Sequence, residues 1–238
     1  MFGYHAAMMR RLTRPILATV LLAGLCASSV FAADATPVKL FNGKDLSGWK
    51  HFLVDPKVPA GDVWSVKDGV LVCKGDPLGY LHTEAEYTSF KLLVEWRWAP
   101  GAAARLGKVP NSGVLMRVTP QPKGVPPAYE AQLQAGNAGD LYGFWGYPLE
   151  GDAAVRREAK GHELLGDMVG YKKVLAAENP EGEWNTYEIT FDGPSLFVFI
   201  NGKKVNEAKG AKVFPGRIAL QSEGGEIHFR RVELTPIE

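Results

Sequence analysis

The sequence predicts an all-β protein: a two-sheet antiparallel β-sandwich of jelly-roll type with one long aromatic-rich loop. Three observations carry that expectation. Ten or more short runs alternate apolar and polar residues with period two. Turn signals separate them at regular spacing, and helical periodicity is almost absent.

The elements follow in order. Leu40 to Lys50 reads L-F-N-G-K-D-L-S-G-W-K, with a turn at Asn42-Gly43 and a large apolar anchor at Trp49. Trp64 to Cys73 reads as a hairpin closed at Asp68-Gly69. Its Cys73 lies in an apolar strand pattern and reads as a core residue. Phe90, Leu92, Val94 and Trp96 alternate with Lys91, Leu93, Glu95 and Arg97, the clearest strand in the chain. Asn111 to Val118 and Tyr129 to Gln134 alternate likewise, around a proline-rich break from Thr119 to Pro127. Ala135 to Glu183 reads as the long loop, with a helical turn open to Asp152–Lys160. A meander follows from Asn185 to Val205, with turns at Asp192-Gly193-Pro194 and Asn201-Gly202. Two last strands, Arg217 to Ser222 and Glu226 to Leu234, flank Glu223-Gly224-Gly225. No repeat or linker interrupts the chain, so one domain is expected over 37–238.

Residues 1–32 read as a signal peptide. Arg10, Arg11 and Arg14 precede a short apolar stretch, Ile16 to Leu25, and Val30-Phe31-Ala32 supplies the small residues of a cleavage site. The apolar stretch is too short to span about 30 Å of hydrocarbon. Leu25 stands before Cys26 where lipidation wants a small residue, so a lipoprotein is not expected. The expectation is export to the periplasm or beyond, with the mature chain starting near Ala33. That chain would keep 206 of the 238 residues, with 24 basic against 26 acidic ones. Such a balance argues against nucleic acid or an anionic membrane as partner. No second apolar run could cross a bilayer. Cys73 alone would remain after processing, so no internal disulfide can form.

The central pair of strands carries the candidate site. If both lie in one sheet, Asn111, Arg117, Glu130 and Gln132 meet on one polar surface, opposite Val114, Met116 and Val118. That surface suits a polyhydroxy ligand. Tyr142, Phe144, Trp145 and Tyr147 either stack on sugar faces or pack the loop onto the sandwich.

These residues lie within motifs that resemble, in order, the family of 3-keto-disaccharide hydrolases. The motifs are L-F-N-G-K-D-L-S-G-W-K, W-S-V-K-D-G-V-L, F-K-L-L-V-E-W-R, N-S-G-V-L-M-R, Y-E-A-Q, L-Y-G, G-E-W-N-T-Y-E-I, I-N-G-K-K-V and G-R-I-A-L-Q followed by I-H-F-R-R-V-E-L. They cover about residues 38–236. The resemblance implies a concanavalin A-like jelly roll and exported bacterial proteins that act on sugars. Where the family has an assigned activity, it cleaves glycosides whose sugar is oxidised to a ketone at C3. It further implies that Asn111, Arg117, Glu130, Gln132 and Gln221 belong to the concave polar face. Behind Gln221 the chain departs from the family, with Glu223 where many relatives carry histidine or aspartate.

A ketone at C3 acidifies the proton at C2. Removing it moves charge onto the C3 oxygen, and the C1 substituent can then leave. That chemistry needs a base, donors for the enolate oxygen and an acid for the leaving group. Glu130 is the expected base or acid, with His82, His162 and Glu223 as further proton partners. Arg117, Gln132 and Asn111 are the expected oxyanion donors, with Gln221, Tyr142 and Trp145 completing the binding set. A salt bridge between Arg117 and Glu130 is the structural alternative. A retaining glycosidase needs two carboxylates about 5 Å apart, and Glu130-Ala-Gln-Leu-Gln offers one. No cofactor or metal is predicted; a divalent cation such as calcium stays open, since no spacing demands one. The two functions to weigh are an exported enzyme cleaving 3-keto-glycosides and a non-catalytic carbohydrate-binding module of the same fold.

Overall fold

A computed structural model describes residues 1–3 and 36–237. The expected signal peptide and cleavage site therefore lie almost wholly outside the described residues. From residue 36 onward the chain forms two antiparallel sheets of eight strands each.

The first sheet runs, in spatial order, Lys203–Ala208, Ser195–Ile200, Asn185–Asp192, Phe90–Trp98, Ile227–Pro236, Val70–Cys73 and Trp64–Lys67, with Val38–Lys39 added beside Ile227–Pro236. The second runs Arg156–His162, Gly166–Tyr171, Leu141–Gly143, Tyr129–Gln132, Gly113–Val118, Arg217–Ser222, Gly79–Thr83 and Trp49–Leu53. The last two strands in the sequence thus lie in different sheets. The turn Glu223-Gly224-Gly225 between them crosses from one sheet to the other at the strand ends, with both glycines at positive φ.

Alternation decides which side chains meet between the sheets. Phe90, Leu92, Val94, Trp96, Tyr187, Ile189 and Phe191 from one sheet pack against Val114, Met116, Tyr129, Ala131, Leu141 and Leu220 from the other. Cys73 is fully buried there, and burial pushes its thiol up to about 12. Hairpin turns fall where the sequence places them: Asp68-Gly69 and Asn201-Gly202 both have positive φ at each residue.

Two features differ from the expectation. The long loop Ala135–Glu183 contains three strands, and these extend the second sheet to its edge. Arg156–His162 reads R-R-E-A-K-G-H and stays largely exposed, so no apolar alternation marks it; charged residues are how an edge strand avoids pairing with another molecule. Asp152 to Lys160 is a single 3-10 turn, Ala153–Val155, that runs straight into this strand.

The second difference is a bulge. Between the pairs Arg217 with Val118 and Ala219 with Leu115, two residues of one strand, Met116 and Arg117, oppose one residue of the other. Arg117 takes a φ of 48° to achieve this. The alternation slips by one, so Val118 joins Leu115, Tyr80 and Ala219 in a second apolar cluster on the outer face of the sheet. Val125, Ala128 and Phe144 cover that cluster from the proline-rich and aromatic segments.

Candidate active site

Gly113–Val118 and Tyr129–Gln132 are neighbours, with Gly113 opposite Gln132 and Leu115 opposite Glu130. Glu130 and Gln132 therefore share the outer face, and Glu130 leans over the bare Cα of Gly113. A Cβ on Gly113 would stand 2.0 Å from Glu130 Oε1 and 3.0 Å from Gln221 Oε1. Glycine at 113 is what leaves room for the carboxyl.

The space above is a pocket of ≈ 240 Å³. Its polar lining is Asn111, Glu130, Gln132, Gln134, Gln221, Glu223 and Arg157, and its apolar wall includes Tyr142, Phe144, Leu165 and Met168. The pocket thus gathers two carboxyls, four amides and a guanidinium. Gln132 Oε1 accepts from the backbone N–H groups of Leu133 and Gln134, both at 2.9 Å, which leaves its amino group free to donate. Gln221 Oε1 and Asn111 Oδ1 are buried without a hydrogen-bond partner. Such acceptors gain free energy when a donor reaches them. Tyr142 packs over Gly170, stacks against Phe144 at 5.9 Å between ring centroids, and forms the side wall.

Burial governs the electrostatics. Glu130 is 2% exposed, and loss of water, then the nearby charges of Glu223 and Asp140, raise its pKa well above the carboxylate range. Glu223 is pushed up to about 7, mainly by burial, against the opposing pull of the Asn111 amide and the Lys108 ammonium. Burial thus biases both carboxyls of the pocket toward the protonated form, Glu223 with a pKa of about 7. Carboxyls with raised pKa in one pocket are an arrangement that acid–base chemistry uses.

Four expected site residues stand elsewhere. Arg117 is wholly buried between the sheets, because the bulge turns it off the outer face. Its guanidinium donates to the carbonyls of Thr88, Gly193 and Lys212 at 2.6–3.0 Å and faces the Phe191 ring; it meets neither a ligand nor Glu130. His82 lies on the same row as Glu130, but Ala219 and Leu115 intervene. Three strand spacings put it roughly 14 Å away. There it donates from Nδ1 to the Thr83 carbonyl at 2.9 Å, and burial lowers its pKa. His162 sits at the end of the edge strand and lines a neighbouring cavity with Trp145, outside the Glu130 pocket. Trp145 does not offer a free stacking face, since Lys123 Nζ lies 3.3 Å from its ring centroid.

Arg157 is the group that sequence reading missed. It lies on the largely exposed, charge-rich edge strand, one strand beyond Gly170, and reaches the pocket beside Tyr142 because Gly170 has no side chain in the way. Only the register of that strand could have found it.

A larger depression of ≈ 530 Å³ lies between Glu150–Asp152 and the strand Lys203–Ala208. Its buried polar side chain, Asn206, is spent on the carbonyls of Gly139 and Tyr171 and the N–H of Glu207. Its carboxylates, Glu150, Asp152 and Glu207, are exposed. Among the described residues no three His, Cys, Asp or Glu side chains gather as a metal site. No helix among them is long and apolar enough to cross a membrane.

Comparison with known proteins gives a family and a fold. The family model described as a 3-keto-alpha-glucoside-1,2-lyase-like domain matches residues 36–235. The chain matches no curated protein in sequence. Among solved structures, a candidate glycosyl hydrolase from Parabacteroides distasonis aligns with a TM-score of 0.59 at 22% identity, covering 85% of this chain and 94% of that one. The carbohydrate binding module CBM66 from Bacillus subtilis aligns with a TM-score of 0.54 at 13% identity over 78% and 93% of the two chains. The endo-β-1,3(4)-glucanase SCLam of family GH16 aligns at 0.53 and 12% identity, over 85% and 90%. At these identities the likeness is one of fold, the sandwich expected from the strand pattern.

Proposed function

Because the chain belongs to the family of 3-keto-α-glucoside-1,2-lyase-like domains, a carbohydrate-active family, we propose that it cleaves glycosides of a 3-keto sugar by elimination across C1 and C2. The observation that carries this reading is the pairing of Glu130 and Glu223 in one pocket, both with raised pKa.

In this reading the keto sugar sits against Tyr142 and Phe144 with its hydroxyls donating to Asn111 Oδ1 and Gln221 Oε1. Glu223, ionised, takes the proton from C2. The C–H electron pair moves toward C3, and the charge collects on the former ketone oxygen, where the Gln132 amino group and Arg157 donate to it. When the electrons return, the C1–C2 double bond forms and the C1–O bond breaks. Glu130, protonated because it is buried, gives its proton to the departing oxygen. The products are an unsaturated keto sugar and an alcohol, and water can add to the former later. The protein's work is to dock the sugar and to hold two carboxyls at different protonation states.

The basic start, short apolar stretch and small-residue cleavage motif of residues 1–32 support export, so the substrate would be met in the periplasm or outside the cell.

The test is release of a chromogenic alcohol from a 3-keto-α-glucoside, beside the unoxidised glucoside, with Glu130→Gln and Glu223→Gln as controls. Release confined to the keto substrate and lost in Glu223→Gln supports the reading. Tight sugar binding without release from any keto-glycoside would overturn it in favour of a binding module.

A further inference from the structure

A second cavity borders the Glu130 pocket, and the chemistry above uses none of its groups. It measures ≈ 330 Å³ and is lined by Lys123, Gly124, Trp145, His162, Glu163 and Leu164. The two cavities share a wall. Val125 and Leu165 face the Glu130 pocket, while their immediate chain neighbours Gly124 and Leu164 face the second cavity. Trp145 pins both halves of this partition. Its backbone N–H donates to the Leu165 carbonyl at 2.9 Å, and its indole N–H donates to the Val125 carbonyl at 2.8 Å.

The polar groups of the cavity have defined roles. His162 Nδ1 accepts from the N–H groups of Leu164 and Leu165, at 3.2 and 3.3 Å. A neutral imidazole so engaged carries its proton on Nε2, which leaves that nitrogen as a donor. Lys123 adds an ammonium and Glu163 a carboxylate. Donors and an acceptor around one space match hydroxyl groups, which can both give and accept a hydrogen bond.

We propose that this cavity is the leaving-group subsite: it holds the sugar, or another polyhydroxy alcohol, attached to C1 of the keto sugar beside Glu130. The glycosidic bond then crosses the rim of the partition, over Val125 and Leu165. His162 and Trp145 thereby act in shaping the substrate's second half, away from the proton transfers. The proposal rests on the reading that the Glu130 pocket takes the keto sugar, and it explains why two separate cavities share one thin wall.

Glu163 is exposed and Lys123 half-buried over the Trp145 ring, so Lys123→Met with Glu163→Gln removes both charges while keeping each side chain's length. With a 3-keto α-linked glucose disaccharide, kcat/KM should fall about tenfold or more in the double variant, the size of one lost hydrogen bond to a charged group. With methyl 3-keto-α-glucoside it should be unchanged. Equal falls on both substrates, or no change on either, overturn the subsite. A second measurement needs no turnover. The Trp145 indole N–H resonance, assigned by its loss in Trp145→Phe, should move on titration with the unoxidised disaccharide and stay still with methyl α-glucoside. A moving resonance without cleavage of any keto-glycoside would sink the lyase reading and the leaving-group role with it, and leave a second sugar-binding cavity. Cleavage with a still resonance and an indifferent double variant would do the reverse.

Discussion

The guanidinium of Arg117 lies 3.7 Å from the centroid of the Phe191 ring, on the opposite side of the sheet from Glu130. This contact replaces the ligand role that alternation alone would assign. A charged group reaches the core because three backbone carbonyls receive its donors and an aromatic face receives its charge.

Arg117→Met should therefore act on stability first. It removes the donors from the carbonyls of Thr88, Gly193 and Lys212 at once. Chemical denaturation should show a loss of more than about 3 kcal/mol. The fraction that remains folded should keep its KM for substrate. A stable Arg117→Met with a strongly raised KM would restore Arg117 to the binding site.

Gly113→Ala tests the notch that admits Glu130. The added methyl would stand 2.0 Å from Glu130 Oε1, so the carboxyl has to move. Overpacking of this kind costs about 1–3 kcal/mol. Activity should fall by far more than the stability loss explains, because the proton donor leaves its position. Unchanged activity on the keto-glucoside would show that the carboxyl's place over Gly113 is immaterial.

The pH–rate profile should be bell-shaped. Glu223, pushed up to about 7, must be ionised, so kcat/KM rises with pH through that value. Glu130, raised well above the carboxylate range, must be protonated, so the rate falls again as pH passes its own higher pKa. Glu223→Gln should abolish the profile with the activity, and Glu130→Gln should remove the alkaline limb while lowering kcat by roughly a hundredfold or more. A flat profile between pH 5 and 9 would contradict both assignments.

The same raised pKa carries a stability cost with a definite sign. The folded state binds the Glu223 proton more tightly than the unfolded chain does. Stability from this group is thus full below the ordinary carboxylate pKa and lost as pH rises through about 7. Because Glu223 keeps partial access to water, the loss should be roughly 1–3 kcal/mol. Glu223→Gln should match the parent near pH 4 and exceed it in thermal stability above pH 7. A parent that gains stability relative to this variant on going from pH 5 to 8 would show that its carboxyl is stabilised as the anion.

Much of this molecule is written locally. Trp64 to Cys73, Phe90 to Trp98 and the meander from Asn185 onward need only period-two alternation and turn residues. Glu130, Gln132 and Gln221 followed from strand parity and family resemblance, and Tyr142 from the aromatic content of the long loop; the structure brings all four to one pocket. The positions of Arg117, His82 and Arg157 were not legible. One bulge reversed the parity of Arg117. Two intervening side chains separated His82 from Glu130, and a polar edge strand without alternation carried Arg157 inward.

By itself, then, the sequence determined that the chain is a β-sandwich of one sugar-active family, with Glu130 on a polar strand. Only the tertiary structure decided which side chains share water-poor space with that carboxyl. Parity along a strand is fixed by bond geometry, residue by residue. Register, bulges and the order of strands are fixed by burial across the whole sandwich, and it is burial that raises Glu130 and Glu223 into the range where they can exchange protons.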